Sequence, residues 1–390
     1  MKNCAIATRN AVIGALYRNI LKPVLFLIDA EKIHESFIRI GSILGATGFG
    51  RACTRALFGY KDRTLEQDIL NIHFNNPIGL AAGFDYEGRL TNIMGSVGMG
   101  FSTVGTITNL PYGGNPKPRL SRLVKSKSLL VNKGFKNMGI SATLKYLRAT
   151  MNRSNGTKIN GGKFLLPIGM SIGKTNTLDI TTQEQAIDDI CSAFKEVEHA
   201  GLPFSYYELN ISCPNLQGNV EFYRPEHLEQ LLKSVFAVRL SKPVFIKMPI
   251  VKTNEETLAM LEVIAKSPAA GIVIGNLQDD PRGKLSGMPT QKRSDELIRL
   301  AYEKYGGKSI ASTGRNNSRR LVIIGCGGVF SAEDAYRKIR LGASLVQMIT
   351  GMIFEGPQAI SEINRGISRF LARDGFAYVS QAIGADNVLK

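Results

Sequence analysis

The sequence contains no tryptophan, and its 390 residues include only four histidines and five cysteines. The cysteines form no C-x-x-C pair, and no histidine stands at a metal-ligand spacing from them. Neither a disulfide framework nor a zinc site is favoured, so we expect no metal and predict a reducing compartment. The cysteines are Cys4, Cys53, Cys191, Cys213 and Cys326.

A long hydrophobic run is also missing. A helix that crosses a bilayer needs about 20 predominantly apolar residues, and no segment of the sequence reaches that length. We do not expect a cleavable signal either, because no small-residue cleavage site follows a clean apolar core.

Acidic residues are scarce relative to basic ones, 32 against 49, which gives a formal net charge of +17. This charge favours an anionic partner such as nucleic acid, a phospholipid surface or a phosphorylated cofactor. The basic clusters are not interleaved with the stacking aromatics that a single-strand-binding protein needs. We therefore do not expect nucleic acid among the partners.

The first 60 residues are predicted to form two short helices, 11–28 and 30–44, followed by a glycine-rich turn at 45–50. Basic residues outnumber acidic ones in this segment. Two interpretations stay open at this point. The helices lie in a membrane interface, with their cations near lipid phosphates, or they form a helical pair that packs on its own domain.

From residue 77 the sequence alternates short β-rich runs with helical stretches. Continuous apolar strands that alternate with helices indicate a parallel sheet, and eight of them favour an α/β fold of the closed (β/α)8 TIM-barrel type. An open doubly wound sheet is the competing fold. Two polar stretches, 151–163 and 305–320, are predicted to be surface loops. The eight runs are 77–82, 101–105, 165–171, 206–211, 244–248, 271–274, 321–325 and 344–347.

Functional groups of such a barrel gather after the carboxyl ends of its strands. Lys247 ends an apolar run, and a buried lysine is costly unless it faces an anion or an electron-rich ring. It would suit the edge of a cofactor that becomes negative on reduction. The glycine turn at 325–328 and the pair Thr350-Gly351 follow the last two runs, where many barrels hold a phosphate.

Cys213 lies in the turn after the fourth run, beside Pro214. A structural role is the plain alternative, because cysteine is among the most buried residue types. Its place among the strand-end residues instead favours a thiol that moves a proton. Asn210, Asn215 and Asn276 add amides that both donate and accept, which suits a planar ligand with alternating C=O and N–H groups.

Six motifs resemble those of the dihydroorotate dehydrogenases and occur in the family's order, with similarity from about residue 15 to Asp386. The N-terminal helices and the segments 119–122 and 382–386 are similar to the membrane-associated, quinone-using class. In that class two N-terminal helices form a tunnel by which quinone reaches FMN, which favours the membrane interpretation of 11–28 and 30–44. The motifs are N-x-S-x-P-N at 210–215, GLAAGFD at 79–85, GTIT at 105–108, NPKPR at 115–119, LSG at 285–287 and GCGG at 325–328.

The resemblance implies oxidation of dihydroorotate to orotate in de novo pyrimidine synthesis, with FMN as cofactor and a quinone as acceptor. A base removes the C5 proton while C6 passes a hydride to N5 of FMN. It implies a peripheral membrane protein, on the cytoplasmic face of a bacterial inner membrane or at a mitochondrial inner membrane. It also implies a membrane and quinone-tunnel extension over 1–60 and an FMN-binding barrel over 61–390.

Carried over motif by motif, the resemblance assigns roles to single residues. Cys213 is the implied catalytic base, and Arg122 lies near the inner end of the quinone tunnel. The implied substrate side comprises Tyr86, Asn132, Lys136, Asn210, Asn215 and Asn276. The implied FMN contacts are Ala82, Gly83, Thr106, Ser171, Asn210, Lys247, Gly275, Gly287, Gly327, Gly328 and Thr350.

Several positions depart from the family's pattern. The quinone-using class has serine as the base, whereas Cys213 resembles the soluble classes, and a thiol base must be partly deprotonated by its surroundings. The family's substrate-carboxylate lysine is replaced by Tyr86, for which Lys136 is our predicted substitute. Other replacements are Val131 for an asparagine, Ser171 for an FMN-contacting asparagine, and Gly275 and Leu277 for two threonines.

Two alternatives stay open on these departures. The first is a related FMN-dependent barrel oxidoreductase that acts on another cyclic amide or acid, which Tyr86, Val131 and Leu277 favour. The second is a barrel without turnover that persists as a flavin-binding or partner-binding protein.

Overall fold

The computed structural model describes residues 2–152, 164–218, 220–306 and 320–387. The two predicted surface loops fall largely on 153–163 and 307–319, which lie outside the described residues. The strands are β1 (Gln67–Ile69), β2 (Ile72–Phe74), β3 (Ile78–Leu80), β4 (Phe101–Ile107), β5 (Leu120–Leu123), β6 (Ser128–Val131), β7 (Ile168–Ile172), β8 (Tyr206–Asn210), β9 (Val244–Met248), β10 (Gly271–Ile274), β11 (Gln278–Asp280), β12 (Gly283–Gly287), β13 (Val322–Cys326) and β14 (Leu345–Met348).

Helices precede, surround and follow these strands. Two π-helical turns, Tyr17–Leu21 and Tyr302–Gly306, continue the helices before them. The helices are α1 (Lys2–Leu16), α2 (Lys22–Leu27), α3 (Ala30–Ala46), α4 (Gly48–Phe58), α5 (Met94–Val97), α6 (Ile140–Asn152), α7 (Gln183–Ala200), α8 (Pro225–Ala237), α9 (Asn254–Lys266), α10 (Gln291–Ala301), α11 (Ala332–Arg340), α12 (Thr350–Glu355), α13 (Ala359–Arg373) and α14 (Val379–Ala382).

Eight parallel strands close into a barrel in the order β3, β4, β7, β8, β9, β10, β13, β14, with β14 pairing back to β3. Each of the eight predicted runs overlaps one of these strands, so the closed barrel is confirmed and the open sheet is excluded. The strands are apolar along nearly their whole length because side chains on one face fill the barrel and those on the other meet the helices.

Two smaller sheets occupy the ends of the barrel. The β1–β2 hairpin brings Phe74 against Phe101, with ring centroids 5.6 Å apart, and this aromatic cluster fills the amino-terminal end. At the opposite end, the segments after β4 and β10 form an antiparallel sheet in the order β11, β12, β6, β5. The sequence did not predict this sheet, which fixes the residues after β6 at the mouth of the barrel.

The glycine-rich turn that was predicted at 45–50 is wrong. Gly45 lies inside α3, and α4 begins at Gly48. Thr47 separates the two helices, and its Oγ1 accepts a hydrogen bond from the Gly50 N–H at 3.0 Å. A Cβ at Gly50 would lie 2.3 Å from the Leu44 carbonyl oxygen, so glycine serves here to bring the two helices close together.

The N-terminal helices pack on the barrel. The Arg9 guanidinium donates to Ser361 Oγ at 3.0 Å, and the Tyr17 hydroxyl donates to the Ile353 carbonyl at 2.6 Å. Within the described residues, no single helix has the length and apolar composition of a bilayer span. The segments Cys4–Leu27 and Ala30–Ala46 meet that criterion only as a pair, and the chain bends by 120° between them.

Candidate active site

A cavity that opens to solvent lies at the carboxyl ends of the barrel strands. Cys213 lines this cavity together with Lys247 and Asn276. Other predicted residues in its wall are Ala82, Gly83, Tyr86, Thr106, Asn210, Asn215, Gly275, Gly287, Gly327, Gly328 and Thr350.

Three of the residues predicted to contact the flavin or the substrate do not reach the wall of this cavity. Ser171 lies behind Thr106, whose Oγ1 is 2.9 Å from Ser171 Oγ. Asn132 turns towards the loop, where its Oδ1 accepts a hydrogen bond from Asn115 Nδ2 at 2.8 Å. Lys136 points towards α3 and forms ion pairs with two of its glutamates. The structure therefore does not bring the predicted substitute cation to the substrate side.

Lys247 and Glu208 form a buried pair beneath the cavity. The Nζ of Lys247 lies 3.7 Å from Oε1 of Glu208, and both side chains are almost fully buried. Among the described residues, no hydrogen-bond acceptor lies closer to Lys247 Nζ than Glu208 Oε1. The other carboxylate oxygen, Glu208 Oε2, has no hydrogen-bond partner among these residues. A buried ammonium with unused N–H groups facing a cavity fits a ligand with acceptors on a planar edge, such as a flavin.

The glycine turn after β13 supplies backbone to the same cavity. Gly327 and Gly328 have φ values of +107° and +67°, which favour glycine over residues with a side chain. On the opposite side, Asn210 Nδ2 donates to Thr106 Oγ1 at 2.7 Å, which fixes this amide at the barrel centre. These groups fit the phosphate end and the ring of a flavin mononucleotide, respectively.

The candidate substrate amides are held by hydrogen bonds of their own. Asn276 Nδ2 donates to Ser212 Oγ at 2.7 Å, and Asn215 Nδ2 donates to the Val131 carbonyl at 2.9 Å. The first contact reaches Ser212, in the turn that carries Cys213, and the second joins that turn to β6. The amides are thus fixed around the thiol before any ligand binds.

The Cys213 thiol is protonated at neutral pH in this environment. Burial raises the pKa of Cys213 to about 11, and the weaker opposing effects come from the Asn215 N–H, Lys247 and Lys174. The two lysines lower the pKa of the thiol but do not reverse the effect of burial. A thiol base must be partly deprotonated, so Cys213 would act through a small thiolate fraction at pH 7.

A second cavity lies beneath the N-terminal helices. Its wall is mostly apolar and includes Phe37, Ile40 and Leu44 of α3. Arg122 lines it and donates to the Ile28 carbonyl at 2.6 Å, with its guanidinium 4.8 Å from the centroid of the Phe26 ring. The two cavities share five wall residues, which are His34, Phe84, Leu120, Leu129 and Ile353.

Three residues of the site were not assigned roles from the sequence. Glu208 could have been found as the only carboxylate in an apolar strand. Lys133 lines the main cavity three residues before the predicted Lys136, and no sequence signal separates the two. His34 lies between the two cavities, and burial lowers the pKa of its imidazole to about 4, so the ring is neutral at pH 7.

The sequence matches the model of the dihydroorotate dehydrogenase family over residues 64–371. The dihydroorotate dehydrogenase (quinone) of Christiangramia forsetii is 33% identical over 370 residues, covering 90% of this chain and 98% of that protein. The protein of the same name from Trichodesmium erythraeum is 31% identical over 400 residues, covering 95% and 99% of the two chains.

Solved structures agree with the fold. The crystal structure of DHODH in complex with ferulenol from Eimeria tenella aligns with a TM-score of 0.76 at 24% identity, covering 94% of this chain and 99% of that one. The ligand-free form from the same organism gives a TM-score of 0.74, also at 24% identity, and covers 92% and 100% of the two chains. The family match and the relatives together show that this chain belongs to the dihydroorotate dehydrogenase family, whose members carry a flavin.

Proposed function

We propose that the protein oxidises dihydroorotate to orotate in pyrimidine synthesis, with FMN in the main cavity and a quinone as the final acceptor. The observation that carries this proposal is the wall that the two cavities share. A cavity that presents Lys247, asparagine amides and glycine backbone, and so suits a flavin and an anionic pyrimidine, adjoins an apolar cavity suited to a hydrophobic quinone. Electrons have only this wall to cross between the two ligands.

The residues of the main cavity have separate tasks in this proposal. Lys247 and Asn210 hold the flavin ring, and the glycines after β13 approach its phosphate. Ser171 acts one layer behind, by positioning Thr106. The remaining flavin contacts are Ala82, Gly83, Gly275, Gly287 and Thr350.

Asn215 and Asn276 orient the pyrimidine ring so that its C5 faces Cys213. The thiolate of Cys213 removes the C5 proton and holds it as a neutral thiol, in place of the serine of the quinone-using class. FMN, when bound, supplies the acceptor for the hydride that leaves C6 and passes the electrons to quinone. The apolar wall around the site excludes water from the acidic C5 position.

The second cavity and the surface above it complete the proposal. Arg122 contacts the quinone head, because it brings a cation into an otherwise apolar space. Residues 1–60 form the membrane and quinone-tunnel extension, and residues 61–390 form the FMN-binding barrel. The protein binds peripherally to a membrane, the cytoplasmic face of a bacterial inner membrane or a mitochondrial inner membrane.

The decisive experiment follows the flavin absorbance during two additions. Purified protein is mixed anaerobically with dihydroorotate, and a short-chain quinone is added after the first change is complete. We expect bleaching on the first addition and recovery of the oxidised spectrum on the second. If dihydroorotate leaves the yellow protein unbleached but another cyclic amide or acid reduces it, that compound would replace dihydroorotate as the proposed substrate.

A further inference from the structure

Lys133 is a buried lysine that lines the main cavity. Only 6% of its surface is exposed. Within the described residues, its Nζ has no hydrogen-bond acceptor and no carboxylate within 4.0 Å, and it lies over the ring of Tyr86, 4.8 Å from the ring centroid. The ammonium is therefore withdrawn from bulk water without the anion that normally accompanies a buried charge.

The other buried lysines of the described chain all have oxygen partners. Lys338 Nζ is 2.6 Å from Asp295 Oδ1, and Lys174 Nζ donates to the Thr175 carbonyl at 3.3 Å. Lys247 has Glu208 at 3.7 Å. Lys133 differs from all three because no described residue provides it with an oxygen partner, although it lines the main cavity.

The carboxylate that most favours the charged form of Lys133, Glu31, is already engaged. Glu31 Oε1 lies 3.3 Å from Arg119 Nη1 and 3.3 Å from Lys136 Nζ, so its charge is shared between two other cations. Burial lowers the pKa of Lys133 to about 8, and Glu31 opposes this only in part. At pH 7 most of the molecules still carry the charge.

Hydrogen bonds tie the segment of Lys133 to the turn of Cys213. Asn215 Nδ2 donates to the Val131 carbonyl at 2.9 Å, two residues before Lys133. Asn115 Nδ2 is shared between Asn132 Oδ1 and the Asn215 carbonyl, at 2.8 and 3.0 Å. The loop that carries Lys133 is thus attached to the turn that carries the Cys213 thiol and Asn215.

We propose that Lys133 is the anion receptor of this cavity and binds the carboxylate of dihydroorotate and orotate. This inference rests on the proposed function, and it replaces Lys136, which its glutamates hold outside the cavity. The substrate carries one carboxylate, and its ring amides match the asparagines near Cys213. Lys133 supplies the charge that Tyr86 lacks at the position where the family has lysine.

The test measures orotate and uracil binding to the flavin-loaded protein through the change in flavin absorbance. Uracil has the same ring without the carboxylate, so it reports on any general damage to the site. In Lys133→Met we expect the Kd of orotate to rise about 30-fold while that of uracil changes less than threefold. Lys133→Arg should keep orotate binding within about fivefold of the parent.

Lys136→Met is the matched control, because Lys136 follows on the same loop but lies outside the cavity. It should bind orotate within about twofold of the parent. The inference is overturned if Lys133→Met binds orotate as tightly as the parent, or loses orotate and uracil equally. Bleaching of the parent by dihydroorotate separates this failure from failure of the proposed function, in which the parent would neither bleach nor bind orotate.

Discussion

The Oε1 atom of Glu208 lies 3.7 Å from the Nζ atom of Lys247, and both side chains are buried where the β8 and β9 strand ends meet the main cavity. Asn210 and Lys247, which both line that cavity, are direct neighbours across these two strands. Ser171 Oγ donates to the same Glu208 oxygen at 2.7 Å. The cation that lines the main cavity therefore has a carboxylate behind it.

Replacing Glu208 with glutamine should raise the reduction potential of the bound flavin. The carboxylate offsets part of the Lys247 charge, so removing it leaves more positive potential to stabilise a reduced, negatively charged ring. We expect an increase of roughly 30 mV, which for a two-electron couple corresponds to about 1.4 kcal/mol. A dye-equilibration titration of the flavin absorbance measures it.

Glu262→Gln is the control for this change, because Glu262 pairs with Lys266 on the exposed face of α9. Its flavin potential should match that of the parent. An unchanged or lower potential in Glu208→Gln would show that the Glu208 carboxylate does not offset the charge of Lys247.

Flavin reduction should become faster as the pH rises, because the proposed base is the thiolate of Cys213. Burial raises the pKa of Cys213 to about 11. The neutral thiol is then the major form below that pH, and the thiolate fraction grows tenfold per pH unit. We expect the limiting rate at saturating dihydroorotate to rise roughly tenfold per unit between pH 7 and 10, as measured by anaerobic stopped-flow.

Substitutions at Cys213 separate this ionisation from others. Cys213→Ala should lower the limiting rate by a factor of about 10³ or more and remove its dependence on pH. Cys191→Ala removes a thiol that is buried in α7, away from the cavity, and should keep the parent's profile. Full turnover in Cys213→Ala would assign the proton transfer to another group.

The fold was predictable because its signal is local. Each barrel strand is a short apolar run, and eight such runs fix the architecture whatever the loops do. The glycine turn at 45–50 was wrong because Gly45 and Gly50 serve close helix packing, which depends on what lies opposite them. The antiparallel sheet at the mouth pairs segments about 150 residues apart, such as Leu130 with Leu285, and no local pattern marks that pairing.

The site was predictable where it follows strand ends and less so where it depends on loop direction. Cys213, Lys247 and Asn276 meet in one cavity because parallel strands end at the same edge. Lys133 and Lys136 are three residues apart after β6, and nothing in the sequence distinguishes them. In the structure Lys133 lines the cavity, whereas Lys136 pairs with Glu31 and Glu35 of α3, a contact between segments about 100 residues apart.

Replacing Arg122 with methionine should weaken the use of quinone without affecting the oxidation of dihydroorotate. Arg122 lines only the second cavity, so its loss removes a charged hydrogen-bond donor from the quinone side. We expect the KM for a short-chain quinone to rise about tenfold, while flavin bleaching by dihydroorotate keeps the parent's rate. Arg282→Met, which alters an exposed arginine paired with Asp280, should change neither value.

The distribution of exposed apolar side chains predicts where the protein meets a membrane. Of the nineteen exposed large hydrophobic residues in the described chain, thirteen lie between Val12 and Leu57. Leu27 and Phe49 are the most exposed, at 87% and 81%. Burying one such side chain in lipid contributes about 1.5–3 kcal/mol, so the double variant Leu27→Glu/Phe49→Glu should bind anionic phospholipid vesicles at least tenfold more weakly in a sedimentation assay.

The control variant is Leu178→Glu, which alters a residue that is 67% exposed and lies outside the N-terminal segment. It should bind vesicles like the parent. Equal loss of binding in both variants would place the contact with lipid elsewhere on the molecule.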